Sequence, residues 1–309
     1  MSKELVFGHQ NPDTDAIVAA KAYAYLQNKL GLDVEAVALG EPNAETNFVL
    51  NYFDEPAPRV VTEAKSEVES VMLVDHNEPQ QSISDIEDLQ VTHVVDHHRI
   101  ANFNTSAPLF YRSEPVGCTS TILTKMFDEE KVEIPAQLAG LMLSAIISDT
   151  LLLQSPTTTE ADKIAVKTLA EIADIDYEAY GIKMLKAGTD LDSKSDKELV
   201  DGDAKSFTMA DKSVRIGQVN TVDLQDVISR QAGLVAAMDA ERASEGYDLF
   251  LTLATNVLDS NSVLFVSGDP TEPVEAAFNA KFEDGRMSLP GVVSRKKQVV
   301  PPLQDAFEK

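Results

Sequence analysis

Val91-Thr92-His93-Val94-Val95-Asp96-His97-His98 is a short, almost continuously apolar run that breaks directly into an aspartate and two histidines. Runs of this length and composition mark strands buried on both faces of a parallel sheet. His93 falls inside the run, where packing or a hydrogen bond accounts for it; His97 and His98 fall just past its end. The same junction occurs twice upstream. Leu5-Val6-Phe7 leads into Gly8-His9-Gln10-Asn11-Pro12-Asp13-Thr14-Asp15, and Val71-Met72-Leu73-Val74 leads into Asp75-His76-Asn77. The five histidines of the chain therefore all lie within its first 98 residues, four of them directly after a predicted strand.

Between these strands the apolar period changes from continuous to helical. Ala16 to Leu30 carries Ile17, Ala20, Tyr23, Ala24 and Leu26 near the 3.6 spacing and reads as a helix, with Asp15 placed to cap it. Asp33 to Leu39 reads as another strand and Ala44 to Phe53 as another helix. Helices are also predicted at about Cys118–Glu129, Pro135–Ile147, Glu160–Ile172 and Tyr177–Lys186. Alternation of this kind specifies an α/β fold, a parallel sheet with helices on its faces. The polar stretch Gly188 to Lys197 interrupts the pattern, which then restarts. Strands at Ser206–Ala210, Val214–Asn220, Leu249–Ala254 and Val263–Val266 enclose one long helix from Asp223 to about Arg242. At 309 residues two domains are expected: residues 1–188, a hinge at 189–196, and a smaller α/β domain at 197–309.

Loops that follow the strands of a parallel sheet share one edge, and ligands bind there. His9, Asp13 and Asp15, then Asp75, then His97 and His98 are thereby expected to converge, with Asp149 joining them from the end of the apolar Leu138–Ile147 helix. Histidine with aspartate and no thiolate suits Mn²⁺, Co²⁺, Zn²⁺ or Fe²⁺. One ion takes about three or four protein ligands, so at least six candidates are enough for two ions sharing a carboxylate. Paired ions about 3.5–4 Å apart favour hydrolysis at phosphorus, because they brace both the attacking and the leaving oxygen.

Composition limits the alternatives. The chain has 26 Lys and Arg against 51 Asp and Glu, a net charge of −25. Such a surface repels nucleic acid and anionic membrane, so neither is an expected partner. Cys118 is the only cysteine, which excludes an intrachain disulfide and fits a reducing, cytoplasmic location. There is no phosphate-binding G-x-x-x-x-G-K-[ST] loop and no G-x-S-x-G nucleophile turn. The sequence also lacks tryptophan.

Ser294-Arg295-Lys296-Lys297-Gln298 is unusual on so acidic a chain. Gly291-Val292-Val293 before it and Val299-Val300 after it read as strand-like, which would hold the cations in position. An Arg fork and a Lys point charge suit phosphate oxygens. Lys205 is a weaker candidate for the same task.

Taken together, His9-x3-Asp13-x-Asp15, Asp75-His76-Asn77, Asp96-His97-His98 and the Ser294–Gln298 cluster resemble the DHH phosphoesterase superfamily, and within it the manganese-dependent family II inorganic pyrophosphatases. The resemblance implies two Mn²⁺ (or Co²⁺) ions per subunit. One would be held by His9 and Asp13, with Asp75 bridging to a second held by Asp15, His97 and Asp149. It implies that His98 acts as general acid or hydrogen-bond donor, that Lys205, Arg295 and Lys296 grip pyrophosphate arriving with Mg²⁺, and that Asp96 and His76 orient the ligands. It further implies an active site in the cleft between the domains, attack by a hydroxide bridging the metals, and a homodimer paired through the N-terminal domain. The alternative within the superfamily is an exopolyphosphatase or a small-nucleotide phosphodiesterase.

Overall fold

The computed structural model of the chain describes residues 3–308. The chain divides after Gly188 into two compact units. In the first, β1 (Glu4–Phe7), α1 (Thr14–Lys29), β2 (Val34–Ala36), α2 (Ala44–Tyr52), β3 (Ser70–Val74), β4 (Gln90–Asp96) and β5 (Phe110–Ser113) are followed by α3 (Thr119–Glu129), α4 (Ala136–Thr150), α5 (Glu160–Ala173) and α6 (Tyr177–Thr189). The five strands form one parallel sheet in the order β2-β1-β3-β4-β5. β1, β3 and β4 are thus immediate neighbours, and the three segments that follow them leave the same edge.

Leu5, Phe7, Val71 and Leu73 point to one face, in register across β1 and β3. Helices were expected on both faces of this sheet. Instead, that face is covered by irregular chain carrying Val61, Ala64, Val68, Ile83 and Leu89, while α1 packs on β1 and β3 from the helical side. The predicted second strand also shortens. Its ladder ends at Ala36, and Ala38 turns to pair with Val60 instead of continuing along β1. Strand β5 was not foreseen, because Phe110-Tyr111-Arg112-Ser113 is a half-exposed edge strand without an apolar run.

The second unit holds α7 (Asp196–Asp201), β6 (Ala204–Met209), β7 (Lys212–Thr221), α8 (Leu224–Ile228), α9 (Gln231–Glu245), β8 (Leu249–Asn256), β9 (Asn261–Gly268), α10 (Glu272–Phe278), β10 (Arg286–Pro290) and α11 (Val300–Phe307). Its sheet runs β10-β9-β8-β7-β6, with only β7 and β8 parallel. Both faces are covered. Leu199, Val227, Leu234 and Met238 pack against Phe250 and Phe265, and Val274, Val300 and Leu303 pack against Leu251 and Leu264 on the other side.

Three expectations for this half need correction. The single helix from Asp223 breaks at Ser229–Arg230, where the Arg230 side chain donates to the Leu191 and Lys194 carbonyls and to Asp196. The polar stretch at Gly188–Lys197 is not wholly loop: α6 runs to Thr189, and α7 starts at Asp196 behind a Ser195/Glu198 capping box. Finally, Val299 and Val300 are not strand-like. Arg295–Val299 forms a π-helical turn leading into α11, and both valines are buried in it.

Candidate metal centre

The turn after β1 begins with Gly8, for a steric reason. A Cβ there would stand 2.5–2.7 Å from the Cβ, Cα and carbonyl oxygen of Ala16, so only glycine lets the strand end touch the first turn of α1. The helix starts two residues earlier than predicted. Asp13, not Asp15, is the N-cap, its Oδ1 accepting from the Ala16 amide at 3.0 Å. Its Oδ2 lies 3.5 Å from His9 Nε2. Asp15 sits in the first turn, fully buried. There it accepts from the Thr119 amide (2.7 Å), the Ser120 amide (3.2 Å) and the Ser120 hydroxyl (2.7 Å) at the start of α3. Thr119 and Ser120 were not anticipated, although a run of hydroxyl residues opening a helix is the signal for such a cradle.

Asp75 follows β3 in the left-handed region, at φ 57°. Aspartate tolerates that conformation better than most residues, and it turns the carboxylate toward its neighbours. Asp75 Oδ2 is 3.5 Å from His9 Nε2 and Oδ1 is 3.3 Å from His97 Nε2, with Thr119 donating to Oδ1 at 3.2 Å. Asp149, in the last turn of α4, completes a group with Asp15 and His97. The next three residues, Leu151, Leu152 and Leu153, are all left-handed, at φ 47°, 54° and 65°. For leucine this costs about 1 kcal/mol or more each. Strain of that kind concentrates beside functional groups.

The structure brings His9, Asp13, Asp15, Asp75, His97, His98 and Asp149 together in three overlapping groups: His9/Asp13/Asp75, Asp15/His97/Asp149 and Asp75/His97/His98. Two of the imidazoles share one arrangement. His9 Nδ1 lies 2.8 Å from the Gln10 carbonyl and His97 Nδ1 lies 3.0 Å from the Val116 carbonyl. A ring that donates from Nδ1 to a carbonyl presents Nε2 as a ligand. His98 differs. Its Nδ1 is 2.9 Å from Asp96 Oδ1, its side chain is 52% exposed, and Asp96 also accepts its backbone amide. Asn77 in turn donates to Asp96 at 2.6 Å and to the Arg99 carbonyl at 2.9 Å. Asp96 therefore fixes the orientation of the His98 ring from its Nδ1 side.

His76 needs a correction. Its ring nitrogens go to the Val74 carbonyl (2.9 Å) and Ser82 (3.1 Å), not to a candidate ligand. Burial lowers its pKa to about 4, so it is a neutral core histidine. His93 lies inside β4, against Tyr23 and Phe110, as its position in the run implied.

Burial and like charge set the electrostatics of the cluster. Burial, then the charges of Asp15 and Asp13, push the Asp75 carboxyl well above its ordinary range; burial, then Asp15 and Asp75, do the same to Asp149. Burial alone would lower the pKa of His9, but the hydrogen bond to Asp13 and the charge of Asp75 outweigh it and lift it to about 9. Crowded carboxylates of this kind cannot all ionise out of water unless cations join them. The imidazole nitrogens and carboxylate oxygens are the donors that divalent transition ions take, so the residues fit Mn²⁺.

The basic residues belong to the second unit. Lys205 on β6 and Lys296 are exposed. Arg295 is 8% exposed; its guanidinium donates to the Ile216 carbonyl at 3.3 Å, to the Asp203 carbonyl, and to Asp203 Oδ1 at 2.8 Å. The Ser294–Gln298 turn is tied down by Gln298, which accepts from the Val293 and Ser294 amides, and by Gln218, which accepts from the Arg295 amide.

The model of the DHH family N-terminal domain matches residues 3–146, and that of the DHHA2 domain matches residues 182–306. A protein of Lactiplantibacillus plantarum named a probable manganese-dependent inorganic pyrophosphatase is 72% identical over 99% of each chain. One of the same name from Enterococcus faecalis is 62% identical over 99% of this chain and all of its own. A crystal structure from Methanococcus jannaschii, provisionally described as a family II inorganic pyrophosphatase, is 38% identical. It superposes with a TM-score of 0.61 over 99% of this chain and 100% of its own. Identity at this level along the whole length places this chain in the manganese-dependent, DHH-type family of inorganic pyrophosphatases.

Proposed function

We propose that this protein hydrolyses pyrophosphate to two orthophosphates. We further propose that it holds two Mn²⁺ (or Co²⁺) ions per subunit, one through His9, Asp13 and Asp75 and the other through Asp15, Asp75, His97 and Asp149. The observation that carries this reading is the aspect of Asp75: one carboxylate oxygen faces His9 and the other faces His97. Bound divalent ions supply Lewis acidity at phosphorus and lower the pKa of attached water, so that a nucleophile is available near neutral pH.

The residues of the chain then divide the remaining tasks. His98, held by Asp96 through Nδ1, directs Nε2 toward the substrate and gives a proton or a hydrogen bond to the departing phosphate. Lys205, Arg295 and Lys296 neutralise charge on that phosphate, and Mg²⁺ arrives with the substrate. For Arg295 this means releasing Asp203. Subunits pair as homodimers through the N-terminal unit. Among the described residues no helix is long and apolar enough to cross a membrane.

The relatives' names favour pyrophosphate over the polyphosphate or small-nucleotide substrates of other superfamily members. Phosphate release from pyrophosphate, tripolyphosphate and a dinucleotide, compared with Mn²⁺ present, tests this. Pyrophosphate should be turned over fastest; preference for either of the others overturns the reading.

A further inference from the structure

Glu45 lies at the start of α2, 30 residues from the nearest histidine-aspartate segment. Its Oε1 accepts two hydrogen bonds, from the Thr14 hydroxyl at 2.8 Å and from the Ser148 hydroxyl at 2.5 Å. Thr14 stands between Asp13 and Asp15, and Ser148 precedes Asp149. One carboxylate oxygen therefore ties the N-terminus of α1, with two candidate ligands, to the C-terminus of α4, with a third. Thr46, 3.1 Å from Thr14 Oγ1, extends the chain of hydroxyls on the buried side. Glu45 is held from outside as well: a Cβ on Gly188 would stand 2.8 Å from Glu45 Oε2 and 3.1 Å from Glu45 Cβ.

We infer that Glu45 is a positioning residue of the metal centre, which sets the spacing between the Asp13–Asp15 turn and Asp149 through a shared acceptor atom and needs glycine at position 188 to keep its place. The inference rests on the metal-binding reading above. α1 and α4 also touch directly; two short hydrogen bonds to one atom add a directional constraint on their spacing. Groups hydrogen-bonded directly to ligands are worth about 10–100-fold in metal affinity; Glu45 acts one residue removed, through Thr14 and Ser148, which sets its effect at the low end of that range.

The test is the Mn²⁺ dissociation constant of the metal-stripped full chain, followed by the electron paramagnetic resonance of free Mn²⁺. Thermal unfolding of each metal-free variant is measured beside it. Glu45→Ala should weaken Mn²⁺ binding about tenfold. Glu45→Gln keeps an acceptor oxygen at the same reach and should recover most of the loss. Gly188→Ala adds helix propensity in the last turn of α6, which offsets part of the cost of the new contact, yet it displaces Glu45 and should weaken Mn²⁺ in the same direction. Unchanged affinity in Glu45→Ala and Gly188→Ala overturns the role. Failure of Glu45→Gln to recover binding also overturns it, since charge and not position would then be at work. If the unaltered chain itself binds no Mn²⁺, the metal reading falls and this inference falls with it.

Discussion

Asp75 Oδ1 lies 3.3 Å from His97 Nε2, while the other oxygen of the same carboxylate faces His9. A side chain that is 2% exposed and turned both ways in this manner can serve two cations at once, and its amide cannot. Asp75→Asn should lower pyrophosphate turnover by about 100-fold or more, beyond the 10–100-fold typical of outer partners. It should also reduce the Mn²⁺ bound per subunit. Phosphate release and metal analysis check both, and near-normal turnover would remove the bridging role.

His98 is oriented by Asp96, whose carboxyl is itself held down. Burial alone would raise the pKa of Asp96, but hydrogen bonds from His98 and Asn77 outweigh it and keep it below the ordinary value. Asp96→Asn offers one acceptor oxygen where the carboxylate offers two. Steady-state kinetics should show kcat falling about 10–100-fold with little change in Mn²⁺ affinity. Equal loss of metal binding would mean that Asp96 supports the ligands instead.

The pKa of His9 is lifted from 6.5 to about 9 in the metal-free fold. A raised value means that the folded protein holds the proton more tightly than the unfolded chain does. Its contribution to stability is full below pH 6.5 and lost as pH rises through 9. Bound metal needs the neutral ring, so apparent Mn²⁺ affinity should tighten over this window, by up to about tenfold per pH unit for this proton. Calorimetric titrations at pH 6.5 and 8.5 measure it; a flat profile would take His9 out of the ligand set.

Arg295→Ala should raise KM about tenfold or more and lower kcat, from the loss of a charge-assisted contact worth about 1.5–3 kcal/mol. Because the guanidinium also pairs with Asp203 and the Ile216 carbonyl, the same change should lower the melting temperature by several degrees. An unchanged KM alongside lower stability would make Arg295 structural only.

Chelation should abolish activity, and Mn²⁺ or Co²⁺ should restore more of it than Zn²⁺: imidazole and carboxylate donors admit Zn²⁺ as well, but the relatives are named for manganese. Equal rescue by Zn²⁺ would count against that argument.

Much of this was legible along the chain because parallel strands are continuous apolar runs, and the chemistry begins where each run stops. β1, β3 and β4 announce themselves in this way, and so the edge that gathers His9, Asp75 and His97 follows from local patterning. Strand β5 does not, since an edge strand needs no apolar face of its own. The break between α8 and α9 was equally hidden, because Arg230 interrupts the helix for the sake of partners at 191–196. The Ser195/Glu198 capping box was present in the polar stretch and could have been used.

Residue types and their order along the chain dictated the α/β class, the ligand chemistry and the family. Which atom faces which was decided by three-dimensional packing. Asp13 caps α1 while Asp15 turns inward to the α3 N-terminus; His98 belongs to Asp96 and His76 to Ser82. Periodicity reports which residues are buried near one another in sequence. It carries no information about hydrogen bonds between segments 31 to 105 residues apart, such as those of Glu45 and Asp15, because these depend on how the helices pack against the sheet.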